Sequence, residues 1–222
     1  MTYLDIVNNV LRRMREDEVT SVQDSVYSKM VGDYVNDAKK LVEAAWDWSG
    51  LRTTLNLRGT GGTEGTTSGI FNYVLTGSQN RVKALNVIND TSNVFMEYRP
   101  ATWFDDKYLN QDPVSGSPEY YTYNGVDSSG DTQIDIYPKP DGVYKIRFNC
   151  ILRNADLSED TDDLIIPAGP VIHLAIAMLA RERGETGGTA TAEYFAIADK
   201  YLNDAIALDA QKHPDELVWY TP

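Results

Sequence analysis

From Ser25 to Leu51 the chain keeps one hydrophobic rhythm. Apolar side chains fall at Tyr27, Met30, Val31, Tyr34, Val35, Ala38, Leu41, Val42, Ala45 and Trp46. This i, i+3, i+4, i+7 spacing predicts an amphipathic helix. The other face carries Lys29, Asp33, Asp37, Lys39, Lys40 and Glu43, which predicts a solvated surface or a polar partner. Ser49-Gly50 stops the helix, and a two-residue period begins at Leu51. A helix of about 24 residues over 25–48 spans roughly 36 Å, long enough to organise a small domain.

Upstream, Thr2 followed by Asp5 has the form of a capping box. Tyr3, Ile6, Val7, Val10, Leu11 and Met14 then predict a short amphipathic helix, joined to the long one by a charged loop. Downstream, alternation predicts strands over 51–58, 70–75, 81–88, 94–98, 120–123, 133–137 and 143–152. Residues 99–106 fit a single helical turn. Gly, Pro, Asn and Asp cluster between the strands, where turns need them. The region 51–152 is therefore expected to be a mostly antiparallel sheet domain.

Helical spacing returns after Pro167. Residues 171–180 are apolar nearly all round apart from His173, which predicts a buried helix ending at Gly184. Tyr194, Phe195, Ala198, Tyr201, Leu202, Ala205 and Ile206 give a last helix one apolar face. The expected class is α+β: a four-helix bundle built from the N- and C-terminal helices, with an antiparallel β-sheet domain inserted. The expected divisions are 1–50 and 153–211 for the helical domain, 51–152 for the insert and 212–222 for an extended tail.

Charge refines this picture. The 222 residues carry a net charge of −13. Acids and bases number nine and six in 1–50, eleven and nine in 51–152, and thirteen and five in 153–222. With no basic run, a grip on nucleic-acid phosphates is not expected, although an acidic wall suits DNA that must slide past. No stretch approaches the ~18 unbroken apolar residues of a membrane helix. The amino terminus has no apolar signal core, so no export signal is expected. The single Cys150 excludes an intramolecular disulfide and fits a buried small apolar role.

Candidate chemistry is sparse. The glycine-rich 59–69 stretch lacks the Gly-Lys-Ser/Thr ending of a phosphate loop and does not open a helix. It is expected to be a flexible hairpin loop, able to order as a contact arm on assembly. Asp156, Glu159, Asp160, Asp162 and Asp163 crowd one loop, but without the spacing of a calcium loop. His173 and His213 have no nucleophile motif beside them, so no enzyme, cofactor or metal is expected. Aromatic residues are more informative. Trp103, Tyr108, Tyr120, Tyr121, Trp219 and Tyr220 lie outside the core periodicity. Such residues anchor protein interfaces or line sugar platforms, so a carbohydrate-binding or hydrolytic module stays as an alternative.

Several cadences resemble one known family. The long helix ends Ala45-Trp46-Asp47-Trp48-Ser49 and runs straight into a strand. The middle region reads P-E-Y-Y-T-Y-N-G (118–125), I-D-I-Y-P-K-P (134–140) and V-Y-K-I-R-F (143–148). An acidic loop, Ile166-Pro167 and a hydrophobic helix ending A-R-E-R-G (180–184) follow. This layout resembles the head-to-tail adaptors of short-tailed phages (podoviruses), also called tail tubular protein A or head completion adaptors.

The resemblance implies a virion structural protein of the tail or neck, made in the host cytoplasm. It implies a ring of twelve copies between the portal protein and the tail nozzle protein, with DNA leaving through the lumen. It gives the ring to the helical bundle and the sheet domain to the nozzle or tail fibres. It gives the tail to the portal, with Leu217, Val218, Trp219 and Tyr220 as docking residues. Lys29, Asp33, Asp37, Lys40 and Glu43 are the candidate subunit interface. Another neck, baseplate or fibre-attachment protein is the alternative within the same class.

Overall fold

The computed structural model describes residues 1–59, 62–109, 112–184 and 189–212. The chain divides into two units, one of Met1–Leu51 with the chain from Ala155 onward, the other of Arg52–Asn154.

In the first unit, α1 (Tyr3–Arg13) starts on the reciprocal capping box of Thr2 and Asp5. It buries Tyr3, Ile6, Val7, Val10 and Leu11. Helix α2 (Val26–Ala45) is capped by Ser25, whose hydroxyl accepts from the Ser28 backbone. It stops three residues short of the expected end because Trp46 turns extended. Trp48 then folds back and donates its indole N–H to the Val42 carbonyl at 2.7 Å, satisfying a carbonyl the helix end leaves open. Gly32 lets the Tyr3 phenol cross α2, where any Cβ would strike the hydroxyl.

Helix α4 (Ala168–Glu182) buries eight residues, from Pro170 to Ala180. It packs on α1, α2 and α5, and α1 also packs on α2. Helix α5 (Thr189–Ala210) is joined to the end of the unit's first segment through Asp209, which accepts from the Ser49 backbone at 2.8 Å and hydroxyl at 2.5 Å.

The second unit holds strands β1 (Arg52–Asn56), β2 (Asn72–Leu75), β3 (Val82–Asn89), β4 (Val94–Tyr98), β5 (Ser115–Gly116), β6 (Tyr120–Val126), β7 (Thr132–Tyr137), β8 (Lys139–Pro140) and β9 (Ile146–Leu152). Seven of them form one sheet in the order β1-β9-β3-β4-β6-β7-β2, and β5 pairs with β8. The sheet is mixed, because β4 and β6 run parallel. Parallel neighbours need a crossover, and the segment expected to be one helical turn supplies it as the nine-residue α3 (Ala101–Leu109). One face closes over Leu57, Tyr73, Leu75, Val87, Met96, Ile134, Ile136, Ile146 and Phe148. Cys150 is free and buried.

The glycine-rich segment departs from expectation over its described part. Thr66 is buried. Its hydroxyl donates to the Gly142 carbonyl and accepts from the Tyr144 backbone, both at 2.9 Å. Gly65, at φ +99°, lies where a Cβ would meet Val143. Residues 62–69 are built into the β unit because a threonine inside the run supplies the hydrogen bonds that glycines lack.

Candidate functional site

The polar face of α2 divides into two kinds of charge. Lys29, Asp33, Asp37 and Lys40 are exposed. Lys40 Nζ lies 2.9 Å from Asp156 and 4.0 Å from Asp37. Glu43 does not belong with them. It is 3% exposed, and Lys39, also expected in solvent, is 1% exposed. Lys39 Nζ sits 3.0 Å from Glu43 Oε1 and donates to the Ala155 carbonyl at 2.9 Å. One turn earlier, Asn36 donates to the Leu157 carbonyl at 3.0 Å and accepts from the Leu157 N–H at 2.8 Å. This row of α2 therefore holds the chain as it re-enters the helical unit. A buried ion pair is costly to break from either side, and Glu43 lies inside the unit, apart from the four exposed charges.

The acidic loop spends its carboxylates locally. Asp162 accepts from the backbone N–H groups of Glu159 and Ser158, and these bonds hold its carboxyl below the usual 3.8. Asp160 accepts from the Val22 backbone at 2.9 Å, and Asp163 faces the N-terminal ammonium at 3.5 Å. Among the described residues, no group of three or more His, Cys, Asp or Glu is placed to hold a metal ion.

His173 stacks on Tyr201, ring centroids 4.0 Å apart, and its Nε2 lies 3.0 Å from Arg13 Nη1. A guanidinium has no acceptor, so Nε2 accepts and the ring is neutral. Burial and then Arg13 push its pKa down. This is a packed, positioned histidine with no nucleophile beside it.

Helix α5 shows what sequence reasoning missed. Its packing face is Phe195, Ala198, Leu202, Ala205, Ile206 and Asp209, all buried or half-buried. Tyr194 and Tyr201, expected on that face, join Ile197 and Leu208 in a second, exposed apolar stripe, from 41% exposure at Tyr194 to 68% at Leu208. The signal was present, since 194, 197, 201 and 208 keep helical spacing. The tyrosines fit either stripe by spacing, so a single apolar face absorbs them.

In the β unit, Trp103 and Tyr108 are half-buried. Phe71 stacks on Tyr108 at 4.3 Å, and Trp103 meets Phe104, Tyr120 and Tyr137. The Tyr108 hydroxyl donates to the Ile136 carbonyl at 2.7 Å, and burial pushes the phenol pKa up. These rings fasten α3 to the sheet. Tyr98 of β4 and Tyr123 of β6 stay exposed. Asp135 is buried, takes one amide each from Asn72 and Asn124, and has its pKa raised by burial. A groove of about 400 Å³ runs between β2 and the residues that follow β1, lined by Arg58, Gly59, Gly62, Ile70, Asn72, Tyr73, Val74 and Thr76.

The expected portal-docking residues Leu217, Val218, Trp219 and Tyr220 lie outside the described residues, as do Trp219's and Tyr220's places among the interface aromatics. Among the described residues, no helix is long and apolar enough to cross a membrane.

What the described surface offers is contact area: an apolar helical stripe, a mixed-charge helical face and an open sheet edge. The search of curated proteins found no match. The family model described as SU10 adaptor protein matches residues 1–219. The chain therefore belongs to the SU10 adaptor protein family, a family of structural phage proteins, and is a virion component.

Proposed function

We propose that this chain is a head-to-tail adaptor. Copies assemble side by side through a bundle of α1, α2, α4 and α5 into a ring between portal and tail nozzle, through which DNA leaves without specific binding. One observation carries the reading: the exposed stripe Tyr194, Ile197, Tyr201 and Leu208 on α5. A stripe of that kind marks an interaction surface. The exposed Lys29, Asp33, Asp37 and Lys40 of α2 supply charges of both signs to set partner and register. The layout that resembles the podovirus adaptors supports the site between portal and nozzle and the number twelve. The net charge of −13 per copy supports a lumen that repels DNA.

Negative-stain microscopy of the protein mixed with its portal tests this. Rings on the portal are expected. Leu208→Asp should abolish them while shifting monomer stability by no more than about 0.5 kcal/mol, as for exposed positions. A protein that stays monomeric beside its portal, or attaches only to fibre or baseplate proteins, overturns the reading.

A further inference from the structure

Helices α2 and α5 carry the same outward pattern. Tyr-Val-Asn-Asp-Ala at 34–38 returns as Tyr-Leu-Asn-Asp-Ala at 201–205. Around it, Tyr27, Met30 and Leu41 stand at the same offsets as Tyr194, Ile197 and Leu208. Each helix thus shows Tyr, Met or Ile, Tyr, Asp and Leu at steps of three, four, three and four. That is the a and d spacing of a coiled-coil seam. Both seams are accessible. On α5 all five positions are exposed, and Tyr201 is 45% exposed although one ring face stacks on His173. On α2, Asp37 and Leu41 are exposed, while Tyr27, Met30 and Tyr34 are half-buried. The unit's own core uses the positions beside each seam, such as Val35 and Ala38 on α2 and Ala198 on α5.

The two helices also run the same way. Ser49, just past α2, is bonded to Asp209 at the end of α5. Tyr27, in the first turn of α2, accepts from Arg183, where the chain leaves α4 for α5. The same guanidinium lies 4.9 Å from the centre of the Tyr27 ring. The rotation between neighbours in a ring of many copies is small, so it keeps that common direction.

We propose that the α5 stripe seats on the α2 stripe of the next copy as a parallel, in-register pair. Its layers are Tyr194 on Tyr27, Ile197 on Met30, Tyr201 on Tyr34, Asp204 on Asp37 and Leu208 on Leu41. Two different helices meet, so the contact is heterologous and can close a ring, whereas α2 on α2 or α5 on α5 stops at two copies. The aspartate layer sets the register, as a polar residue at one core position does at a cost in stability. A slip of one heptad puts an aspartate against Ile197 or Met30, where it has no polar partner. In register, Lys40, 4.0 Å from Asp37, and Lys200, one turn before Asp204, bring positive charge to the layer. This inference rests on the ring reading above and names the surface that the α5 stripe meets.

Full-length Leu41→Cys and Leu208→Cys variants are mixed, assembled on the portal at a concentration where assembly is incomplete, and oxidised. Cys150 is buried and left in place. Both altered sites are exposed, and circular dichroism checks the fold. A disulfide-linked heterodimer is expected. Ile197→Cys in place of Leu208→Cys sits roughly 16 Å along the helix from the matching layer, beyond disulfide reach, and should link about tenfold less. Adding Asp204→Lys to the Leu208→Cys variant turns the like-charged layer into an ion pair and should raise the yield about two- to fivefold. Adding Asp37→Lys to the other variant as well should remove that gain. Rings without the heterodimer, or with more of either homodimer than of the heterodimer, overturn the pairing and leave the ring reading standing. Equal linking from 197 and 208, or a yield indifferent to the aspartate layer, overturns the register and with it the proposal. Neither rings nor heterodimer overturns both.

Discussion

The two units bury their polar groups for different purposes. In the β unit the principal core is apolar, and buried polar side chains fasten loops to one another within one continuous stretch, as Asp131 does by accepting from the Gly77 and Gln79 backbones at 3.0 and 2.8 Å. In the helical unit the polar groups splice distant chain segments. Lys39 holds Ala155, Asn36 holds Leu157, Asp160 holds Val22 and Asp209 holds Ser49. In a continuous unit such bonds fasten loops of a single stretch. A discontinuous one needs them to find its other half.

Breaking the splice should cost most at the ion pair. Lys39→Met leaves Glu43 as an uncompensated buried charge and should lower unfolding free energy by about 3–5 kcal/mol in urea melts. The double variant Lys39→Met/Glu43→Leu should recover most of that loss. A single variant no weaker than the double would show that the pair does not act as a splice. Asn36→Ala, which strands both polar groups of Leu157, should cost less, about 1–3 kcal/mol. A change within experimental error would remove Asn36 from the argument.

Acid should separate the units by sign, with the smallest effect. Asp5, Asp24, Asp162 and Asp209 of the helical unit all have pKa values below the ordinary 3.8. For Asp209, burial opposes the shift, but the bonds from Ser49 and Lys212 outweigh it. The stability these groups contribute is present above pH 3.8 and is lost as pH falls through the lowered values. His173, depressed from 6.5, starts the loss earlier, as pH drops through 6.5. Asp135 of the β unit is raised above 3.8, so it gains stability as pH falls through its raised value. Hydrogen exchange followed down the pH scale should show α2 amides losing protection before those of β7. The reverse order would break the contrast.

The elements were legible where one periodicity ruled. The Thr2–Asp5 capping box, the core face of α1 and the alternation of β9 stand where spacing puts them. What escaped depended on partners far along the chain. Lys39 and Glu43 sit on the polar side of α2 and read as solvated, because the carbonyl that receives Lys39 belongs to Ala155, 116 residues away. Trp103 and Tyr108 read as free aromatics because a short helix with a weak apolar pattern hides its packing face. Of the candidate surface, the α2 charges were readable individually. The α5 stripe was obscured because that helix is apolar on two faces, and spacing alone does not rank one against the other. The sheet's edges were not legible, since pairings between strands far apart in the chain decide which strand is last.

The buried Lys39–Glu43 pair also bears on how the chain is made. On a ribosome adding ~5–20 residues per second, α2 emerges roughly 5–20 s before Ala155 exists to meet it. During that interval water hydrates both charges, and this strip of α2 presents an ionic surface to its surroundings. An apolar strip in the same place would be exposed for the same time and open to the wrong partners. The pair thus lets the first half of a split domain wait in solution, and the arrival of Ala155 turns a hydrated surface into an interior.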